Sequence, residues 1–556
     1  MNSAVVAVSV LVAFVFGYRF YSKYLIERVF KLDEESGPTP AVELDDGVDF
    51  VPTSKEVLFG HHYSSIAGAA PIVGPAVAVI WGWVPAIIWV TLGTIFMGAV
   101  HDLGTLILSM RYKGHSIGQL ASGIIGKRAR NLFLLVIFFL VWLVIAVFAL
   151  VIANLFVSYP TTVLPINFEI IVALLIGWWI RKKQGKLLWP SLLALVSLYL
   201  MVWVGTKVPI SIEPWFGEYQ TMAWIVFLLI YSYVASILPV WLLLQPRDYI
   251  NSHQLIVGLA LIITGLIIVH PPIVAPAFNF APEGAPNWFP FLFITIACGA
   301  VSGFHGLVSS GTTSKQVACW KDVRPIGYGG MLGEGVLALL ATLAATTGFK
   351  SIEGWHNHYA NWQGAKGLYS AISAFVGGSS QFIVGLGLSE EFAATLIGVL
   401  IVSFAATSLD TAARIQRYVI SELGENWNLP ILKNRFTGAT IAIGSAFFLM
   451  LVQAGGKGGL ILWPLFGAAN QMLAALSLIV ITLYLLEKGK RAWAYLIPAV
   501  FLMVITVLGL GIGIHGFFQS DNYLLTGLSS TLLLLELWIV AEGWAALKRV
   551  RAGQRA

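Results

Sequence analysis

Between Lys55 and Ile80 the chain has the length of one membrane crossing, yet its middle reads HHYSSIAGAAPIVGP, from His61 to Pro75. Pro71 and Pro75 each lack a backbone N–H and clash with the preceding turn, so a helix here is expected to open. In hydrocarbon an unsatisfied backbone group costs several kcal/mol, so opened backbone survives only inside protein or beside a watery cavity. A helix opened at mid-membrane points to a small-molecule or ion site. The plain alternative is a prolyl kink that shapes packing, since Gly and Pro are common in membrane helices.

Composition sets the class. Of 556 residues 58% are hydrophobic and 11% charged, against roughly 25% charged in soluble domains. Many apolar runs reach the ~20 residues that cross a bilayer. The chain is therefore expected to be an all-α polytopic membrane protein. About fifteen spans are expected, at 2–18, 55–80, 84–110, 131–157, 163–180, 187–206, 222–244, 253–272, 288–312, 326–349, 389–413, 436–454, 459–486, 492–516 and 524–546. With the N-terminus outside and the C-terminus inside, every Lys and Arg except Lys207, Lys350, Lys366 and Lys457 falls on the cytoplasmic side, including RKKQGK (181–186) and KRVR (548–551). Positive charge prefers that face of a plasma membrane, so the +6 net charge is no sign of nucleic-acid binding. Residues 2–18 lack a basic leading segment and read as a first membrane helix rather than a signal peptide. Cys298 and Cys319 make neither a disulfide framework nor a metal spacing. The acidic loop 31–54 is expected to be solvated, and 114–127 to be an amphipathic helix on the inner face.

A second interrupted span ends ACGAVSGFHGLVSSGTTS (297–314), where glycine costs about 1 kcal/mol per residue relative to alanine. Each broken span is followed by a span, a surface insert and three spans, in opposite orientations. This is the layout of an inverted repeat with its site between the broken helices. The expected division is 1–54, a first helix and acidic loop; 55–206, a first five-helix repeat; and 207–287, two added helices. Then come 288–486, an inverted repeat carrying a re-entrant outer segment at 350–388, and 487–556, two last helices and a basic tail.

The runs TPAVELDDGVDFVPTSKEVLFGHHYSSIAGAAPIVGP (39–75) and AVHDLGTLILSMRYKGHSIGQL (99–120) resemble carbon starvation protein A and its relatives, and the likeness extends more loosely to about residue 510. That resemblance implies an inner-membrane transporter induced on carbon starvation, importing short peptides or pyruvate with protons. It also implies a leucine-transporter-like core of five plus five helices, in agreement with the repeat read above.

Ionisable groups inside spans cost about 2.5–3.5 kcal/mol at the centre on insertion scales, so each needs a reason. His61 and His62 open the first broken helix; one is expected to bond freed backbone and the other, with His62 preferred, to titrate near neutral pH. Asp102, beside His101, is either a proton carrier or a structural pair, and Glu334 in GYGGMLGEG (327–335) is placed near the inner gate. Backbone and side chains of Ser64, Ser65, Gly68, Ala69, Ala70, Gly74, Gly303, His305 and Ser309 are expected to bind substrate, half-helix N–H groups favouring a carboxylate. Lys315 and Arg324 are read first as inner-loop charge. The resemblance further implies a sodium site from Ala67, Ala70, Thr407, Ser408 and Asp410; the alternative has the hydroxyls bonding back along their helix and Asp410 pairing with Arg414. HNH (356–358) reads as surface.

No Walker-type G-x-x-x-x-G-K-[ST] motif occurs, so ATP is not expected as fuel. The expectation is a secondary transporter rather than an enzyme, with H+ or Na+ as coupling ion and no other cofactor. Its partners are a small-molecule substrate and the bilayer, without nucleic acid. A sodium-coupled carrier of another carboxylate, or an ion channel, is the alternative.

Overall fold

A computed structural model describes residues 2–35, 37–183, 188–349 and 351–551. Lys350 and residues 184–187 of the basic run lie outside the described residues. The described chain is helical, with two isolated β-bridges and no strand. In order, its principal helices are α1 (Ser3–Phe30), α2 (Lys55–Ile66), α3 (Ala70–Trp81), α4 (Trp83–Arg111) and α5 (Ile117–Ile124). Then come α6 (Lys127–Ser158), α7 (Val163–Lys183), α8 (Leu188–Lys207), α9 (Gln220–Ile237) and α10 (Leu244–Val269). Next are α11 (Trp288–Thr295), α12 (Gly303–Gly311), α13 (Trp320–Thr347), α14 (Leu368–Val384) and α15 (Glu390–Asn426). The last are α16 (Arg435–Leu451), α17 (Gly458–Glu487), α18 (Trp493–Gln519) and α19 (Tyr523–Arg551).

Twelve helices of the described residues are long and apolar enough to cross a membrane, and α2 with α3 makes a thirteenth as a pair bent by 47°. The two other expected spans are α11 with α12, whose halves are short, and α16, which has 17 residues. Three boundaries move outward from the sequence reading, for a common reason. Charges that read as loop are paired in three dimensions. Thus α1 runs on to Phe30, α10 begins at Leu244 with Arg247 and Asp248 buried, and α15 extends to Asn426.

The core is built around α6 crossing α15, with α2 and α12 against them. Along its length α2 packs on α10, as α12 packs on α17. In turn α9 lies against α6 and α15, as α16 does. By contrast α7 and α8 form a hairpin that shares a small separate apolar core with α9 and α10, including Ala173, Ala194, Leu198, Ala235 and Ile250. The segment after α13 folds as two short helices, Ile352–His358 and Trp362–Ala365, and then α14, which lies over α3 and α10.

Loop 31–54 is more than a solvated tether. Most of its acidic side chains are exposed, but its backbone is pinned: Val51 N donates to the Lys315 carbonyl (3.2 Å), Thr53 N to that of Gln316 (3.0 Å), and Val240 N to that of Val48 (3.1 Å). Asp49 accepts from Arg414 Nη1 (2.6 Å) and Arg417 Nη2 (3.1 Å) at the end of α15. Burial pushes its carboxyl up, but Arg414, Arg417 and Lys315 more than offset this and hold it well below the usual carboxylate range. A depressed carboxyl contributes stability that is present above the unfolded value and lost only as pH falls through the folded one. Asp49→Asn should therefore cost on the order of 1–3 kcal/mol, the scale for breaking a charged bond to the buried Arg414. In detergent melts the difference from wild type should stay constant between about pH 5 and 8, both limits lying above the ordinary carboxylate value.

Candidate transport site at the two helix breaks

The first break is not made by its prolines. Residue Ala67 leaves the helix (φ −75°, ψ 60°) and α3 starts at Ala70. Pro71 then sits in the first turn, where a missing N–H costs nothing, and Pro75 is carried inside α3. The opening is thus Gly68 and Ala69, flanked by Ala67 and Ala70, all of them small residues. A side chain at Gly68 would meet the Phe148 ring of α6 at 2.8 Å and Ser408 Oγ of α15 at 2.9 Å, so those two groups face the opened backbone. Ser408 Oγ donates to the Ser65 carbonyl (2.8 Å), and Ser65 Oγ lies 3.1 Å from Thr411 Oγ1. Residues 60–83 are all buried.

The second break runs from Ile296 to Ser302, with Gly299 at φ +90°, a conformation that disfavours side chains. Its freed groups are taken up by three neighbouring helices, of which α4 donates from Thr94 Oγ1 to the Gly299 carbonyl (2.9 Å). Glu334 Oε1 of α13 accepts from Gly299 N (3.1 Å), and Asn470 Oδ1 of α17 accepts from Phe304 N (2.9 Å) and Ser302 Oγ (3.2 Å). The helix after the first break meets the end of the helix before the second at Gly74, where a Cβ would stand 2.3 Å from the Thr295 carbonyl oxygen.

Between the breaks runs a continuous ionisable network with no solvent exposure. His101 Nδ1 lies 2.8 Å from Asp102 Oδ1, and Asp102 Oδ2 lies 3.1 Å from His305 Nδ1. On its other side His305 Nε2 lies 2.9 Å from Glu334 Oε2. One imidazole thus joins carboxylates from α4 and α13. The ring of His101 approaches α12 over Gly306, where a Cβ would come within 2.8 Å of it. Asp102 and Glu334, read separately from the sequence, form one unit with His305, which was expected to bind substrate. His62 turns elsewhere: Nδ1 lies 2.9 Å from Thr313 Oγ1, and the ring packs over Gly330.

The remaining expected residues separate. Ser64 donates to the Asp248 carbonyl (3.2 Å), Gly303 packs on the Asn470 backbone, and buried Ser309 Oγ has no hydrogen-bond partner among the described residues. The five groups named for sodium have distinct partners. Ser408 faces the first break. Thr407 donates to Asp248 Oδ1 (3.1 Å) and accepts from Asn251 (3.0 Å). Asp410 pairs with Arg247, not Arg414, and accepts from Tyr231 (2.8 Å) and Ser232 (3.3 Å). Ala67 and Ala70 flank the first break. Lys315 stacks on the Tyr418 ring (3.9 Å), and Arg324 on that of Tyr18 (4.7 Å).

Sequence reasoning missed Glu169, Arg247 and Asp248. Arg247 Nε lies 3.8 Å from Glu169 Oε1 of α7, and Asp248 Oδ2 lies 2.6 Å from His61 Nδ1. Glu169 gave the same signal as Asp102, a carboxylate within an apolar run.

The sequence profile of the family described as carbon starvation protein CstA matches residues 2–352 and 357–509. A Campylobacter jejuni protein named peptide transporter CstA is 32% identical over 92% of this chain and 80% of its own length. One of that name from Mycobacterium tuberculosis is 35% identical (91% and 75%). A pyruvate/proton symporter, BtsT of Escherichia coli, is 33% identical (91% and 81%). In fold, the chain is similar to an Eremococcus coleocola manganese transporter, with a TM-score of 0.50 at 12% identity over 91% of this chain and 99% of that one. The broken helices, the buried network between them and these likenesses agree: the chain is a leucine-transporter-like membrane protein belonging to the carbon starvation protein CstA family.

Proposed function

We propose that this chain is a proton-coupled secondary transporter that imports small carboxylates, pyruvate or short peptides, by rocking about the two breaks. The observation that carries the reading is the His101–Asp102–His305–Glu334 network. Intramembrane ionisable residues are expensive and mark ion or proton pathways, and this one spans the elements that must move relative to one another. The charge of a protonated His305 faces Asp102 from Nδ1 and Glu334 from Nε2, so its gain or loss changes how tightly α4, α12 and α13 are held together. Substrate sits beside Gly68, Ala69 and Ala70, facing Phe148 and Ser408, where opened backbone offers N–H groups to a carboxylate. Relatives named for peptide and for pyruvate/proton transport support both the cargo and the ion.

The placement of charge supports an N-terminus outside and a C-terminus inside a plasma membrane, with loop 31–54 on the cytoplasmic face. The packing of α10 on α2 and of α9 on α6 favours a first repeat made of 55–158 with 220–269, and α7–α8 as a peripheral hairpin, rather than the run 55–206. The second repeat is then 288–347 with 390–487.

Uptake of labelled pyruvate, and separately of labelled dialanine, into proteoliposomes tests this. A proton gradient alone should drive at least one of them above its outside concentration. Accumulation driven only by a sodium gradient would move the coupling ion to Ser408 and the carbonyls of the first break.

A further inference from the structure

Outside that network, a second ionisable group of the membrane interior joins the inner half of the first broken helix to α10. His61 Nδ1 lies 2.6 Å from Asp248 Oδ2, and both side chains are at most 2% exposed. The other oxygen of Asp248 accepts from Thr407, and the next residue, Ser408, bonds the Ser65 carbonyl just before the break. His61 is therefore linked to the Ser65 carbonyl, just before the break, by three hydrogen bonds and the Thr407–Ser408 peptide unit. His62, its neighbour, points to Thr313. The two histidines present different flanks of α2 to different partners, as successive helix positions must.

Charge balance makes the pair more than a structural bond. Facing it are Arg247 on α10, Glu169 on α7, Asp410 on α15, Tyr231 on α9 and His62 on α2, with Asp102 of α4 and His305 of α12 beyond His62. Of the three carboxylates Glu169, Asp248 and Asp410, only Glu169 and Asp410 pair with the guanidinium of Arg247. Arg247 is committed to Asp410 and lies toward Glu169, which leaves Asp248 with His61 as its partner. An uncompensated buried ion costs several kcal/mol, so whether His61 carries a charge decides how well that of Asp248 is offset.

We propose that His61 and Asp248 form a second proton site, separate from the His101–Glu334 network, so that two protons cross with each substrate molecule. This rests on the proton-coupled reading and deepens it. On loading, His61 Nε2, which has no partner among the described residues, takes a proton that entered from outside. The imidazolium then keeps its Nδ1–H on the Asp248 carboxylate and clasps α2 to α10. When the proton leaves Nε2 to the more alkaline cytoplasm, the ion pair becomes a neutral-donor hydrogen bond beside an excess of negative charge. The clasp weakens, and α2 swings from α10 to open the inner face. Each cycle returns both groups to their starting states and moves one positive charge inward through this site.

The test is a static-head measurement in proteoliposomes clamped at zero membrane potential with potassium and valinomycin. Labelled pyruvate, and labelled dialanine in a parallel arm, are preset at known gradients, and the proton gradient that stops net flux gives the proton-to-substrate ratio. Wild type should balance at two protons per substrate. His61→Gln and Asp248→Asn, which keep hydrogen-bonding capacity, should balance at one, at whatever rate they transport. A wild-type ratio of one overturns the second site without needing any variant to fold, as does a ratio of two that persists in either variant. A ratio of zero for the wild type removes proton coupling altogether, and the second site with it.

Discussion

Asp102→Asn is expected to take the network's proton out of the cycle: under a tenfold proton gradient, substrate should accumulate at least tenfold less than in the wild type. Asparagine keeps the volume of aspartate and one oxygen acceptor, but it carries no charge and cannot bind a transferable proton. In the wild type Asp102 Oδ1 and Oδ2 meet His101 and His305 at 2.8 and 3.1 Å, and His305 passes on to Glu334. The substitution divides that run, and the proton on His305 loses one of its two carboxylates. A tenfold proton gradient is worth about 1.4 kcal/mol per proton, so loss of this step removes a corresponding tenfold of accumulation or more. The variant should still insert, because one neutral histidine can donate to the amide oxygen while the other accepts from the amide N–H. The checks are the uptake plateau and the melting temperature in detergent. A variant that accumulates normally would take Asp102 out of the coupling scheme, and a grossly destabilised one would make the network structural.

Much of the fold was legible in the chain because membrane crossings are written in runs of apolar residues, and breaks in those runs are conspicuous. The first break was placed a few residues late. Proline restricts the residues before it, yet in the first turn of a new helix its missing N–H is no loss, so Pro71 begins α3 and the opening precedes it. The start of α10 was missed for the opposite reason. QPRDYINSH reads as polar loop, but Arg247 and Asp248 are paired with Asp410 and His61, residues 163 and 187 positions away. On the proposed division, the two helices outside the repeats leave no mark in the sequence: an inserted hairpin keeps every later helix in its original orientation.

The site was legible one residue at a time. Asp102 and Glu334 stood out because a carboxylate in an apolar span is costly. That His305 joins them depends on α4, α12 and α13 meeting, which spacing along the chain does not encode. The same limit hid the partner of Asp410. Helical spacing offered Arg414 four residues on, but Arg414 bonds Asp49 and the carbonyls of Ala235 and Leu238.

Arg247→Met should be the most damaging single substitution for the folded protein. The side chain is about 1% exposed and is the one cation among Glu169, Asp248 and Asp410. Breaking a buried pair by removing one partner costs about 3–5 kcal/mol, because the remaining charge has neither water nor a counterion. Here two carboxylates are left in that state, so the variant should melt far below wild type in detergent and reach the membrane in reduced amount. Removing the stranded charge as well should recover much of the loss, since replacing both members of a buried pair is often close to neutral. The double variant Arg247→Met/Asp410→Asn is therefore expected to melt above the single one, and the triple variant with Glu169→Gln higher still. The cycle measures coupling directly, because residues in one network show non-additive effects of 0.5–3 kcal/mol. Additive losses would mean that Asp410 and Glu169 are not held by this guanidinium. Arg247→Lys should fall between: its charge remains, but a compact ammonium cannot reach Asp410, Tyr231 and Glu169 from the positions that a planar fork reaches at once.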